Sequence, residues 1–356
     1  MESIRALAEA AIAAKTFPGC VVGYVTTDGQ TECWPYGHLT YDDGAPSVLT
    51  DTIYDTASLT KSVATASVAL HLVDHGKLSI DDLLVDYVPE FANNYREQVT
   101  IKHLLTYAID GYGLGKFKDR IADELHQIIL THDFVEPPGT VFKYTNVPAY
   151  LLGLVIERIA GRPLDVLADE LFYGPLRMSR TTFHPDRFDK LLIPPTEIDA
   201  SWRRRVVQGE VHDESASVCL ADGRVVGQAG LFSTAPDLLR FMHMILRGGE
   251  FDGRRYFSEA TVQQMYSNQL ADIGESNGLG WELNQPRYMG TSCTPTTFGK
   301  TGFTGTVLIA DVSRRVALVI LSNRTYPHRP PDARAIHSFR SQVADAVFGL
   351  LPVGVI

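Results

Sequence analysis

The sequence has no apolar run approaching the roughly 18 residues that a membrane span requires, so no membrane association is expected. It also lacks the opening of a secreted protein. Met1-Glu2-Ser3-Ile4-Arg5 leads into an Ala-rich amphipathic stretch ending near Lys15, without the basic start, apolar core and small-residue cleavage site of a signal peptide. A cytoplasmic location is therefore expected. Positive charge is scarce too: 32 Lys and Arg face 42 Asp and Glu, for a formal net charge of −10. No dominant basic field exists to hold phosphates, which excludes a general nucleic-acid-binding role. The short cluster Arg203-Arg204-Arg205 reads as a solvated loop or as the partner of local carboxylates.

Cysteine is rare as well, at four residues in 356, and the four show no metal-ligand spacing. Cys20 and Cys33 flank an expected hairpin. A two-residue turn at Asp28-Gly29 puts Cys33 opposite Tyr24 and Cys20 opposite Tyr36 or beyond, so free thiols are expected rather than a disulfide. The eleven histidines are scattered, and His103 and His212 read as structural. No metal site and no cofactor is implied.

A chain of 356 residues with 45% hydrophobic and 21% charged residues can bury a large core. The spacing predicts a helix over 3–15, strands at Cys20–Thr26 and Thr31–Gly37, and a second helix from Ser58 to His75 that Gly76 stops. Helical patterns follow near 80–90, 100–107, 119–130, 147–160 and 163–172, and another after Thr234-Ala235-Pro236-Asp237. Strands return at Gly305–Asp311 and Arg315–Ser322, before a last helix over Ala333–Gly349. Strands at both ends with helices between predict an α/β (α+β) protein: an antiparallel sheet flanked by helices, plus an inserted all-helical domain. The expected division gives residues 1–80 and 292–356 to the sheet domain and 81–291 to the helical one, with the site between them.

Three motifs carry chemistry: Ser58-Leu59-Thr60-Lys61, Tyr144-Thr145-Asn146 and Lys300-Thr301-Gly302. A Ser three residues before a Lys arises by chance about once in every two such chains; the ordered set is much rarer. At a helix start, Ser58 meets unpaired N–H groups, and Lys61 projects from the same face. A neutral Lys61 amine could take the serine proton, and the helix end and a second cation would push its pKa down. A helix-capping Ser58 with a solvated Lys61 is the plainer reading. Tyr144 and Asn146 follow the loop signal Pro137-Pro138-Gly139. A tyrosinate held by lysines is a plausible proton carrier, and Asn146 could bind a substrate amide. A half-buried Tyr beside a capping Asn fits the local pattern equally. Lys300, Thr301 and Gly302 on a strand edge offer a cation, a hydroxyl and close backbone approach. The N–H groups of Ser58 and Phe303 could then form an oxyanion hole.

Together these motifs resemble the serine β-lactamase and penicillin-binding-protein superfamily, and the tyrosine motif resembles its class C branch. That branch holds D-Ala-D-Ala carboxypeptidases, D-aminopeptidases and carboxylesterases. Ala57–Val63, Leu72–Leu78, Ile101–Thr106 and Gly230–Ala235 are similar to family segments. Pro194-Pro195-Thr196-Glu197 with Val211-His212-Asp213-Glu214 resembles one sub-branch of serine hydrolases. The resemblance implies Ser58 as nucleophile, Lys61 and Tyr144 as proton handlers, and Lys300 facing a substrate carboxylate. It implies an acyl-enzyme route on β-lactam, D-amino-acid peptide or carboxylic ester, small-molecule or peptide in kind. One departure is Tyr107-Ala108-Ile109-Asp110-Gly111, where the family usually has His-Thr-Ser-Gly. The alternative from another class is a penicillin-binding protein or sensor that is acylated with little turnover. Gly274-Glu275-Ser276-Asn277-Gly278 matches a nucleophile elbow, but no apolar strand precedes it and no helix follows. Oligomeric state is not legible.

Overall fold

A computed structural model describes residues 2–350. Six antiparallel strands form the main sheet, in the order Thr31–Gly37, Gly19–Thr26, Val316–Ser322, Val307–Asp311, Thr297–Thr301 and Glu282–Leu283. All eight residues of Gly19–Thr26 and all seven of Val316–Ser322 are buried. Such strands read as continuous apolar runs because both faces of the sheet are covered. Cys20, Val22, Leu318 and Ile320 face one core with Ile4, Ala8, Val343 and Val347 from the terminal helices Glu2–Ala13 and Arg334–Leu350. Val21, Val25, Val319 and Leu321 face the other core, with Leu238, Leu239 and Met242 of the helix Ala235–Leu246. Each such fully buried aliphatic side chain contributes roughly 1.5–3 kcal/mol. The expected architecture, a sheet from both chain ends backed by terminal helices with helices between, is the one observed. Helix Ala235–Leu246 lies within the span 81–291 given to the helical domain, yet it packs on the strands Gly19–Thr26 and Val316–Ser322.

Two local expectations need correction. The first hairpin closes through three residues, Thr27-Asp28-Gly29, with the Thr26 N–H donating to Gln30 O at 2.9 Å and Gly29 at φ +94°. The extra loop residue moves the register by one, so Cys33 pairs with Gly23 rather than Tyr24, and Cys20 with Tyr36. Gly23 suits that place, because a Cβ there would stand 2.7 Å from Cys33 Sγ. All four cysteines are free thiols.

The helix expected from Ser58 to His75 is not one regular α-helix. Ala57–Leu59 is a tight 3₁₀ turn, Lys61–Ala66 a wide π-type segment, and only Ser67–Asp74 is α-helical. Hydroxyls inside the segment bind distant carbonyls: Ser62 Oγ donates to Gly280 O at 2.6 Å and Thr65 Oγ1 to Gly227 O at 2.7 Å. Irregular helix of this kind is concentrated at functional positions. The pattern near 80–90 yields one helical turn, Leu84–Tyr87, whereas Val147–Ala160 forms as expected.

Candidate active site

The turn that carries Ser58 is strained and tightly braced. Ala57 has φ +48°, a left-handed conformation that costs a non-glycine residue about 1–3 kcal/mol. The buried Asp55 holds it: Oδ1 accepts the Ala57 N–H at 2.8 Å, and Oδ2 accepts the His212 N–H at 2.7 Å. Burial pushes the Asp55 carboxyl up to about 6 despite those two bonds. Thr60 Oγ1 donates to Ala57 O at 2.6 Å and accepts the Leu231 N–H at 3.1 Å.

From this turn Lys61 reaches back to Ser58. Its Nζ lies 2.8 Å from Ser58 Oγ and donates to Gln228 O at 2.6 Å. Burial lowers its pKa to about 7; the charge of Lys300 pulls the same way, while Asp213 and Glu282 oppose it. Near neutral pH a large share of Lys61 is the free amine, with a lone pair beside the serine hydroxyl.

Tyr144 closes one side, its ring centroid 5.6 Å from Lys61 Nζ. Although the ring is 39% exposed, burial of the phenol raises its pKa, Glu282 raises it further, and a hydrogen bond with Ser58 works against both. A neutral phenol is favoured, which corrects the tyrosinate expectation: this group is suited to giving a proton. Asn146 stands at the start of Val147–Ala160 and donates from Nδ2 to Asp213 Oδ2 at 2.9 Å.

Lys300 lies deeper than expected. Its strand pairs with Val307–Asp311, while Glu282–Leu283 reaches only Phe298 and Gly299, leaving that side open beyond Gly299. The side chain is 0% exposed and ion-paired with Glu282 Oε1 at 3.4 Å. The Tyr107 and Tyr144 ring centroids stand 4.3 and 4.1 Å from its Nζ. Burial lowers its pKa to about 8, and Glu282 counters this. Direct contact between Lys300 and a substrate carboxylate is not offered by this geometry, because the ammonium is enclosed by two rings and a carboxylate.

Gly302 allows the strand end to meet the Ser58 turn: a Cβ would lie 2.0 Å from Thr306 Oγ1 and 2.4 Å from Thr56 O. Thr304 Oγ1 donates to Asp55 O at 2.8 Å and Thr306 Oγ1 to Thr56 O at 2.9 Å, stitching the two segments together. Among the described residues, the N–H groups of Ser58 and Phe303 find no acceptor. Ser58, Tyr144, Asn146, Thr301, Gly302 and Phe303 line one cleft of about 670 Å³, with Lys61 and Lys300 buried beside it. Its far end is cationic. Arg324 donates to Phe303 O at 2.8 Å, and Arg340 donates to Gly302 O and Thr306 O at 3.0 and 2.8 Å.

The Beta-lactamase family profile matches residues 4–340. The chain belongs to the Beta-lactamase family. An Escherichia coli O157:H7 protein named "Putative D-alanyl-D-alanine carboxypeptidase" is 33% identical over 312 residues, 79% of this chain and 70% of that one. Among solved structures, EstCE1, "a hydrolase with promiscuous acyltransferase activity", aligns with a TM-score of 0.76 at 18% identity, covering 98% of both chains. An octameric penicillin-binding protein homologue from Pyrococcus abyssi aligns at 0.71 and 22% identity, covering 97% of this chain and 77% of that one. At these identities the structural likeness shows the fold.

Outside the cleft, Ser276 sits in a loop and donates to Leu283 O at 3.4 Å, away from any nucleophile elbow. His103 is structural: it and Thr100 cap the helix Ile101–Thr106 reciprocally. His71 and His75 lie one turn apart with rings 4.0 Å from each other, but no three-ligand metal group exists among the described residues. Among the same residues, no helix is long and apolar enough to cross a membrane. Arg203 and Arg205 do find local carboxylates, Asp199 at 3.7 Å and Glu210 at 2.5 Å. Sequence reasoning missed Glu282, Asp55 and the second tyrosine, Tyr107. The departure from His-Thr-Ser-Gly was the one available signal, since Tyr107 is the residue that covers Lys300.

Proposed function

We propose that this Beta-lactamase family protein is a serine hydrolase that forms an acyl-enzyme on Ser58 and cleaves amide or ester bonds of small carboxylate-bearing substrates, D-amino-acid peptides foremost. One observation carries the reading: a buried Lys61 amine, with a pKa near 7, stands 2.8 Å from Ser58 Oγ. Ser58 Oγ attacks the substrate carbonyl carbon as its proton passes to Lys61 Nζ. The Ser58 and Phe303 N–H groups receive the oxyanion. Tyr144, a neutral phenol, gives its proton to the departing amine or alkoxide and recovers one through Lys61. Water then attacks the acyl ester by the same route in reverse, releasing the acid and free Ser58.

The carboxylate preference rests on the far end of the cleft. Arg324 lines the cleft and binds only backbone carbonyls, and the fully buried Arg340 adds its charge from within the protein while binding carbonyls and the His337 ring, so neither charge is cancelled by an ion pair among the described residues. The name carried by the 33% identical relative agrees with that preference. The test is hydrolysis of p-nitrophenyl butyrate and of a D-Ala-D-Ala peptide by the native protein and by Ser58→Ala. Turnover that disappears in Ser58→Ala supports the reading. Equal turnover in both would defeat it, and labelling of Ser58 without turnover would favour an acylated sensor.

A further inference from the structure

Asp213 touches more of this site than its place outside the three motifs suggests. It begins the helix Glu214–Ala221, with Oδ1 accepting the Ala216 N–H at 2.9 Å and Ser215 Oγ at 2.6 Å. Its other oxygen, Oδ2, accepts Asn146 Nδ2 at 2.9 Å. A carboxylate only accepts, so the Asn146 amide has one possible orientation, with NH₂ toward Asp213 and Oδ1 turned away. That Oδ1 finds no donor among the described residues, and Asn146 lines the cleft.

We propose that Asp213 is a positioning residue for acyl transfer: it locks Asn146 with an acceptor oxygen presented to the cleft and places a fixed negative charge beside the Ser58–Lys61 pair. The proposal rests on the serine-hydrolase reading. The groups facing Lys61 are Ser58 and Gln228 O in hydrogen-bond contact, the Tyr144 ring, and the charges of Asp213, Lys300 and Glu282. Asp213 is the largest influence holding Lys61 protonated against burial. Glu282 is already committed to Lys300, Arg287 and Tyr288, whereas Asp213 has no ion-pair partner among the described residues.

The substitution Asp213→Asn separates this role from capping. Asparagine is as good an N-cap as aspartate, so Oδ1 can still receive the Ala216 N–H. Its amide nitrogen then meets the Asn146 NH₂ donor to donor, and Asn146 must turn over. The reporter is the pH dependence of Ser58 labelling by a fluorophosphonate, which needs no knowledge of substrate. Native protein, Ser58→Ala, Asp213→Asn, Asn146→Ala and the Asp213→Asn/Asn146→Ala pair are compared.

The expected result is a labelling rate reduced about 10–100-fold in Asp213→Asn, the scale of orienting residues behind a reactive group. Its acid limb should move about one pH unit lower, and the double variant should lose little more than Asn146→Ala alone. A limb that stays in place, with losses that simply multiply in the double variant, overturns the proposal and leaves the hydrolase reading intact. Failure of native Ser58 to label at all overturns both. Circular dichroism and thermal unfolding near the native values show that the cap has survived. Should Asp213→Asn fail to fold, Asp213→Ser, which also caps, is read in the same way.

Discussion

The Lys300 ammonium stands 4.1 Å from the centroid of the Tyr144 ring, so a residue of one motif supports the aromatic face of another. That contact belongs to the ring and not to the hydroxyl. Tyr144→Phe therefore keeps the packing and removes only the proton donor. We expect kcat to fall about 10²- to 10⁴-fold, with KM and thermal stability little changed. An unaltered kcat would remove Tyr144 from proton transfer.

Acidification should disable the enzyme in a particular window. Lys61, lowered to about 7, accepts the serine proton only as the free amine, so kcat/KM should drop roughly tenfold per pH unit below about 7. Asp55, raised to about 6, adds a second loss, since protonation takes an acceptor from Ala57 or His212. An ester-hydrolysis profile recorded from pH 4 to 9 checks this. A flat profile, or a single limb near the ordinary carboxylate range, contradicts it.

Glu282→Gln leaves Lys300 buried without its carboxylate. Breaking a buried pair costs about 3–5 kcal/mol, and the cost here should depend on pH. Lys300 has a folded pKa of about 8, below that of the exposed side chain, so native stability rises with pH from about 8 until the unfolded amine also loses its proton. Loss of Glu282 depresses the folded value further. The gap between native and variant should thus be full only below the variant's own lowered Lys300 value, close as the pH rises from there to about 8, and be smallest above it, as urea unfolding at pH 5.5 and 9 would reveal. Equal gaps at both values would mean that Lys300 does not depend on Glu282 for its charge.

At Gly302 even a methyl group has no room. Gly302→Ala places a carbon 2.0 Å from Thr306 Oγ1 and 2.4 Å from a backbone oxygen that cannot swing aside. The strand end must shift, at about 1–3 kcal/mol. A lowered melting temperature together with a large loss of kcat is expected. A native-like melting temperature would show that the contact relaxes cheaply.

Much of this arrangement was legible because its signals are local. Alternating or apolar runs on either side of turns mark the strands, and the spacing of Ser58 to Lys61 and of Tyr144 to Asn146 puts each pair within one turn. The hairpin register is not legible because Asp-Gly suits two loop lengths; in the observed one Gly23 lies opposite Cys33, where a Cβ would crowd the thiol. The resemblance places Lys300 toward substrate, but the neighbours that enclose it come from far along the chain. Glu282, Tyr107 and Tyr144 enclose it only after three segments meet, and no motif of short range encodes that meeting. Asp213 lay in plain view within Val211-His212-Asp213-Glu214, but its bond to Asn146 spans 67 positions.

The Thr304 and Thr306 hydroxyls hold carbonyls 249 and 250 positions earlier in the chain. Those two bonds make the Ser58 turn and the Gly302 strand end a single mechanical piece. The Ser58 turn and the Phe303 amide thus keep a fixed spacing that is set from outside the cleft. A substituent at Thr304 or Thr306 would reach the reacting atoms without touching a substrate, and drift at those two threonines would register as lost rate long before it registered as lost binding.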